Sequence, residues 1–162
     1  MGIDIVTLGE LVQAKPQDLE LIATWHHQEW AHLNPGQTFA DRCNAMRKAD
    51  ALANMFIALK DGEPIGTSAI EACDMVTHPE FSPWLASVYV AVAQRGQGVA
   101  RRLILHAMNM AYQQGKREMY LYTPKHCKLY EKLGWQVLSR ERYHGEVVTV
   151  MRCELKAALD TK

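Results

Sequence analysis

The chain has 162 residues, of which 48% are hydrophobic and 22% charged, so it is long enough to fold around a hydrophobic core. Its 18 basic side chains balance its 18 acidic ones, which leaves no net charge to attract a polyanion and argues against nucleic acid as the main partner. No apolar run approaches the roughly 20 residues of a membrane span, and the first residues lack the basic start and apolar core of a signal peptide. We therefore expect a cytoplasmic protein without a membrane partner.

The first third of the chain predicts one strand and two helices. Gly2–Leu11 resembles a strand, and Pro16 separates it from apolar residues at helical spacing that end near Trp30. The segment NPGQ then interrupts the helix, and the pattern over Phe39–Ala53 predicts a second one.

The middle of the chain predicts a hairpin, a buried strand and a long helix. Two apolar runs between Met55 and Cys73 flank Asp61-Gly62, a dipeptide typical of two-residue hairpin turns. The segment LASVYVAV, residues 85–92, is almost continuously apolar, as in a strand buried on both faces. Apolar residues at helical spacing then run from Ala100 to a glycine at position 115 that is placed to end the helix.

The last third predicts three strands and a short helix. Glu118–Thr123 is a strand, a short helix ends at Gly134, and residues 135–142 and 146–155 form an antiparallel pair. The predicted order is β-α-α-β-β-β-α-β-α-β-β, which is an α+β fold. Because the chain contains no repeat, low-complexity tract or linker, we expect residues 1–162 to form a single domain.

Neither the cysteines nor the histidines suggest a metal site. The four cysteines, Cys43, Cys73, Cys127 and Cys153, are far apart and form no C-x-x-C pair, so we expect reduced thiols. The cluster WHHQEWAH lacks the H-E-x-x-H spacing of a zinc site. We therefore expect no metal.

The segment RGQGVAR, between the buried strand and the long helix, is the main candidate for ligand binding. Glycines allow a close approach of backbone to ligand, and a helix N-terminus presents unpaired N–H groups, so the junction favours an anion. A Walker loop is excluded because no Lys-Ser or Lys-Thr follows. A dinucleotide fingerprint is disfavoured because Arg101 occupies the third glycine position. The pattern R-x-x-G-x-A is met by Arg95, Gly98 and Ala100.

Two separated motifs make the chain resemble the GNAT superfamily of acyl-CoA-dependent N-acetyltransferases. They are the pattern at Arg95–Ala100 and the YEKLGW segment at Tyr130–Trp135, and the resemblance extends from about Met55 onward in the family order of elements. It implies a mixed, mostly antiparallel sheet with helices on both faces and two splayed central strands. Acetyl-CoA is the implied cosubstrate. The residues implied to bind it are Val88, Tyr89, Val90, Arg95, Gly96, Gln97, Gly98, Val99, Ala100, Arg101 and Thr123.

Acetyl transfer needs a proton donor for the departing thiolate and a base for the amine. The resemblance assigns the donor to Tyr130, which is protonated at neutral pH because an ordinary tyrosine has a pKa of about 10. Many relatives carry a glutamate base in the fourth strand, where this chain has Ala86. Substitute bases that we consider, directly or through water, are Glu71, His78, His26, His27, Glu29 and His32.

The resemblance implies direct acetyl transfer from acetyl-CoA to a primary amine in a ternary complex. Because no base is obvious, we expect an acceptor of low pKa, such as a protein or peptide N-terminus or a small amine. Side chains that could line the acceptor site are Trp25, Trp30, His26, His27 and Tyr143. The alternative is a non-catalytic acyl-CoA sensor or interaction module. A homodimer is a further partner that we consider.

Overall fold

A computed structural model describes residues 2–157 of the chain. Their secondary structure is mixed α+β, as predicted, and seven strands form one open, mostly antiparallel sheet in the order β1-β2-β3-β4-β5-β7-β6. The strands are β1 Ile3–Thr7, β2 Met55–Lys60, β3 Glu63–Glu71, β4 Trp84–Val90, β5 Glu118–Thr123, β6 Gln136–Tyr143 and β7 Glu146–Glu154. The α-helices are α1 Leu8–Ala14, α2 Asp18–Trp30, α3 Phe39–Met46, α4 Ala49–Asn54, α5 Val99–Gln113 and α6 Cys127–Lys132.

Two predictions about the first third of the chain are wrong. Residues from Leu8 onward form a helix instead of continuing the first strand, because Thr7 and Glu10 form a capping box in which each side chain accepts a hydrogen bond from the other residue's backbone N–H. The helix predicted over Phe39–Ala53 is divided into α3 and α4, because the chain leaves the helical conformation at Lys48.

The chain divides into two compact units. The first contains the described residues through Ala69 together with Ser87–His106. Here β1 pairs with β2 and β2 with β3, both antiparallel, and the turn Asp61-Gly62 has the predicted positive φ angles of 52° and 78°. A core of leucine, isoleucine and methionine side chains from α1, α2, α3 and β2 is buried in this unit.

In the first unit β3 and β4 approach each other closely at Gly66. A Cβ atom added to Gly66 would lie 2.7 Å from the carbonyl oxygen of Tyr89 and 3.0 Å from Cδ1 of Leu103. The backbone N–H of Ala91 donates a hydrogen bond of 2.8 Å to the carbonyl of Ile65. Only glycine permits this separation, so residue 66 fixes the position of the end of β4 against β3.

The second unit contains Ile70–Ala86 and the described residues from Ala107 onward. Its strands β5, β7 and β6 are antiparallel neighbours, and β4 pairs with β5 in parallel at Trp84 and Tyr120. An aromatic core surrounds this pairing, with the Phe81 ring stacked on Tyr120 at 4.3 Å between centroids. The predicted turn between β6 and β7 lies at His144-Gly145, with φ angles of 50° and 82°.

Candidate active site

The predicted anion-binding loop lies in the first unit, between β4 and α5. Gly96 and Gly98 have φ angles of 79° and 82°, a conformation that glycine adopts without strain. A Cβ atom added to either would meet nothing within 4 Å, so the backbone here borders open space. The N–H of Arg102 donates to the carbonyl of Gly98 at 3.2 Å, which starts the helical hydrogen bonds. The N–H groups of Val99–Arg101 precede that bond, and a helix does not satisfy its first N–H groups internally.

Arg95 has a different environment from the rest of the loop. Its Nε donates a hydrogen bond of 2.8 Å to the carbonyl of Val90, and its guanidinium lies 5.4 Å from the ring centroid of Tyr89. Its backbone N–H donates to the carbonyl of Val92 at 3.4 Å. The side chain therefore holds the end of β4 against the loop, and the backbone N–H is already engaged.

A chain of two hydrogen bonds reaches β4 from α2 through β3. Nε2 of His26 lies 2.9 Å from Oγ1 of Thr67, and this hydroxyl donates to the carbonyl of Ser87 at 2.7 Å. His26 is 2% exposed and Thr67 is fully buried. Ser87 has a φ angle of 54°, which is uncommon for a residue other than glycine and rare inside a strand.

The hydrogen bonds determine the protonation of His26. Because the only proton of the Thr67 hydroxyl goes to Ser87, the hydroxyl oxygen accepts from Nε2–H of His26. Burial, together with the positive charge of Arg42 on α3, lowers the pKa of His26 to about 3. His26 is therefore neutral at physiological pH and held in one tautomer, and its only ring N–H is committed to Thr67.

Aromatic side chains of α2 cover the same part of β4. Trp25 stacks on Tyr89 at 5.5 Å between ring centroids, and Trp30 meets Tyr89 edge-on at 6.2 Å. The ring of His26 lies 5.1 Å from that of Trp30. The residues expected to line the acceptor site thus gather in the first unit, except Tyr143, which belongs to the second.

Tyr130 lies on α6 of the second unit. It is 7% exposed, and burial raises its pKa to about 12. Its ring meets that of Trp135 edge-on at 6.1 Å, and no residue among 2–157 forms a hydrogen bond with its hydroxyl. The phenol is therefore protonated and able to donate.

Thr123, at the end of β5, is buried and serves the local backbone. Its Oγ1 accepts hydrogen bonds from the N–H groups of Lys125 at 3.4 Å and His126 at 3.1 Å. The hydroxyl proton remains for another acceptor, so the predicted contact with acetyl-CoA stays a prediction.

Two carboxyl groups at and just after the end of β3, in the second unit, have raised pKa values. Burial and the negative charge of Glu71 raise the pKa of Asp74, a half-buried residue, to about 7. Partial burial also raises the pKa of Glu71, although this residue is exposed to solvent. Burial raises the pKa of Tyr122, and the negative charges of Asp74 and Glu71 raise it further. Asp74 was not among the bases considered from the sequence, although the spacing of EACD places its carboxyl three residues after Glu71.

The other substitute bases differ from this pair. Both ring nitrogens of His78 face carboxylates, with Nε2 2.8 Å from Glu141 and Nδ1 3.3 Å from Glu80, and these hydrogen bonds raise its pKa. His78 therefore favours its protonated form, which is not a base. Glu29 and His32 are exposed on or just after α2.

Residues 2–157 contain no group of three or more His, Cys, Asp or Glu side chains placed to hold a metal ion. All four cysteines are free, as predicted. Of the helices that the structure describes, none combines the length and the apolar character needed to cross a bilayer.

The strand order and the glycine loop between β4 and α5 define a mixed α+β fold with a candidate anion site at the start of its longest helix. Residues 19–135 match the acetyltransferase (GNAT) family, so the chain belongs to that family. The predictions of the family, of the fold class and of an acetyltransferase are thereby confirmed.

Solved structures of similar fold agree with this assignment. An N-acetyltransferase from Staphylococcus aureus Mu50 has a TM-score of 0.72 at 17% identity, with 96% of this chain and 100% of that chain covered. The Salmonella typhimurium protein yncA, solved with acetyl-CoA, has a TM-score of 0.70 at 18% identity, with both chains covered to 100%. An aminoglycoside 6'-N-acetyltransferase in complex with coenzyme A has a TM-score of 0.71 at 14% identity, with 99% of this chain and 100% of that chain covered. No curated protein sequence matches the chain.

Proposed function

We propose that the protein transfers the acetyl group of acetyl-CoA to a primary amine, by direct attack of the amine on the thioester. The observation that carries this proposal is the β4–α5 loop, where Gly96 and Gly98 border open space and the amides of Val99–Arg101 precede the first helical hydrogen bond. Such amides suit a pyrophosphate, and acetyl-CoA carries one. The coenzyme bound in two solved structures of similar fold supports this choice.

The residues of the first unit fit the cosubstrate along its length. We propose that the backbone of Val88–Val90 hydrogen-bonds the pantetheine arm and that the loop from Gly96 to Arg101 receives the pyrophosphate. The arm would add to β4 as an extended segment does to a strand, which requires backbone groups and not particular side chains. The engaged N–H of Arg95 removes one of the amides expected to contact the pyrophosphate.

The proposed reaction forms one C–N bond and breaks one C–S bond. The amine loses a proton to a base, its nitrogen attacks the acetyl carbon, and the CoA sulfur leaves as a thiolate that must be protonated. We assign the last step to Tyr130, because its phenol is protonated, belongs to a largely buried side chain and has no hydrogen-bond partner among residues 2–157. The YEKLGW motif supports the same role.

We assign the base to Asp74, with Glu71 as the neighbouring charge that tunes it. A base is most effective when its pKa lies near the working pH, and the pKa of Asp74 is about 7. This value suits an α-amine, whose pKa is about 7.7 to 8.0, better than a lysine side chain at about 10.4. We therefore propose that the acceptor is a protein or peptide N-terminus or a small molecule with an amine of low pKa.

The first test is binding. Acetyl-CoA should raise the unfolding temperature, because a ligand that binds only the folded state stabilises it by RT ln(1 + [L]/Kd), whereas ATP and NAD should have no effect. Gly98→Ala should weaken acetyl-CoA binding about tenfold by placing a methyl group in the open space of the loop. Gly115→Ala is the matched control, because Gly115 has a φ angle of 90° and a Cβ there also meets nothing within 4 Å.

The outcomes separate the candidate functions. The similar backbone strain should lower the unfolding temperatures of both variants by similar amounts, and only Gly98→Ala should show a smaller rise on addition of acetyl-CoA. Unchanged affinity in Gly98→Ala would contradict the proposed pyrophosphate site. Consumption of acetyl-CoA should then be screened over peptides and small amines. If acetyl-CoA bound but no amine were acetylated, the alternative function of a sensor would be favoured. The buried Ala86, at the position of the usual glutamate base, is the observation that supports this alternative.

A further inference from the structure

The left-handed conformation of Ser87 within β4 requires an explanation. A residue other than glycine is strained at such a backbone angle, and the conformation persists only where surrounding contacts hold it. Left-handed residues in strands are typical of bulges, which redirect the chain beyond them. Here the residues beyond are Val88–Val90, and the φ angle of Ser87 is 54°.

The hydrogen bond to Ser87 is unusual for a strand. Its carbonyl accepts from the hydroxyl of Thr67 on β3, a side-chain donor, at 2.7 Å. Four residues later, the N–H of Ala91 forms an ordinary backbone bond to the carbonyl of Ile65. The Thr67 hydroxyl therefore satisfies a carbonyl at the irregular point of β4.

His26 completes this arrangement from α2. Its Nε2–H donates to the Thr67 oxygen at 2.9 Å, while the Thr67 hydroxyl donates its own proton to the Ser87 carbonyl. A hydroxyl that accepts a hydrogen bond is also a stronger donor, because hydrogen bonds in a chain polarise one another. Trp30 and Tyr89 pack on the His26 ring and keep it in place.

We infer that His26 and Thr67 are positioning residues that hold Ser87 in its left-handed conformation and thereby set the orientation of the Val88–Val90 backbone. The inference rests on the proposed function only in assigning that backbone to acetyl-CoA. Neither side chain need touch the ligand or the reacting atoms. Removal of the Thr67 hydroxyl should therefore weaken acetyl-CoA binding and increase amide exchange in β4. The rest of the first unit should change less.

The experiment compares Thr67→Val, which removes the hydroxyl and keeps the shape, with Thr67→Ser, which keeps the hydroxyl. Ile57→Val is the control for destabilisation at the same place, because Ile57 is fully buried and pairs with Thr67 across β2 and β3, but has an apolar side chain that forms no hydrogen bond. Two quantities are measured well below the unfolding temperature: the exchange of backbone amides in residues 87–91 by mass spectrometry, and the dissociation constant of acetyl-CoA.

Thr67→Val should increase amide exchange in residues 87–91 and weaken acetyl-CoA binding roughly 5- to 10-fold, which corresponds to the loss of one hydrogen bond. Thr67→Ser should restore both quantities to near the wild-type values. Ile57→Val should lower the unfolding temperature while leaving both unchanged. Thr67→Val behaving like Ile57→Val would overturn the inference, because the hydroxyl would then contribute stability alone.

A second pair of variants covers the case in which Thr67→Val does not fold. His26→Leu removes the donor to Thr67 and should increase exchange in residues 87–91, whereas His26→Gln retains an N–H donor and should not. Equal exchange in these two variants would overturn the inference. If the wild-type protein does not bind acetyl-CoA, the proposed function fails, and the exchange measurements still decide whether the hydrogen-bond chain positions β4.

Discussion

Burial shifts the pKa of His26 in the first unit and that of Asp74 in the second, with different results. Burial disfavours the charged form of each, lowering the pKa of His26 to about 3 and raising that of Asp74 to about 7. The neutral form of His26 is fixed by a hydrogen bond to Thr67, and its pKa lies outside the physiological range. Asp74 is moved into that range. Burial thus produces a rigid structural group in one unit and a group able to exchange protons in the other.

The proposed function places both proton-transfer groups in the second unit, and Tyr130→Phe is the strongest test of that proposal. The variant keeps the ring and its packing on Trp135 but removes the proton donor. We expect kcat to fall by about 10² to 10⁴, with acetyl-CoA affinity unchanged, because the donor is needed only as charge develops on sulfur. Steady-state kinetics measure kcat, and thermal unfolding with and without acetyl-CoA measures the affinity. Full activity would refute the role of Tyr130 as the acid.

Asp74 should control the pH dependence of the reaction. If its carboxylate accepts the amine proton, kcat/KM should rise about tenfold per pH unit below pH 7, apart from the acceptor's own titration, and Asp74→Asn should lower the rate about 10²-fold and remove this dependence. Glu71→Gln provides a finer test. It removes the negative charge of Glu71, which adds to burial in raising the pKa of Asp74. The rise of kcat/KM with pH should therefore remain but occur at lower pH.

The same pair of variants can contradict the assignment. If the pH dependence of kcat/KM survived in Asp74→Asn and disappeared in Glu71→Gln, the base would be Glu71 and not Asp74. The pH profile should therefore be recorded for both variants with the same amine and at constant ionic strength.

His26 should affect the free energy of unfolding and the way this free energy depends on pH, and it should take no part in proton transfer. Between pH 3 and 6.5 the unfolded chain binds a proton at this position that the folded protein does not, so the free energy of unfolding should fall as the pH is lowered. The expected loss is about 2 kcal/mol at pH 5 relative to neutral pH. Urea unfolding of the wild type and His26→Gln measures it, because glutamine does not titrate. Parallel pH profiles would show that the imidazole is not held neutral.

Local signals in the sequence predicted much of the fold. The two hairpin turns at Asp61-Gly62 and His144-Gly145 have residue pairs that tolerate positive φ angles, and both form as expected. The errors also have local explanations. The capping box of Thr7 and Glu10 was present in the sequence but was outweighed by the apolar pattern around it, and the break at Lys48 has no glycine or proline to mark it.

The candidate site was predictable where it depends on backbone and motif. The glycine loop and Tyr130 were identified as candidates in this way, and their roles stay predictions. The role of His26 was not, because its partner Thr67 lies 41 residues away and only the folded chain shows that the histidine is buried. The pKa of Asp74 likewise depends on burial, which spacing alone does not reveal.

The close approach at Gly66 constrains how this protein could diverge. Even one methyl group at residue 66 would meet the Tyr89 carbonyl at 2.7 Å, a backbone atom that cannot rotate away. A substitution there would become tolerable only after another change had already moved β4. Substitution of residue 66 should therefore depend on earlier changes elsewhere that have moved the backbone of β4, and the order in which substitutions arise would decide whether the first unit can accept one.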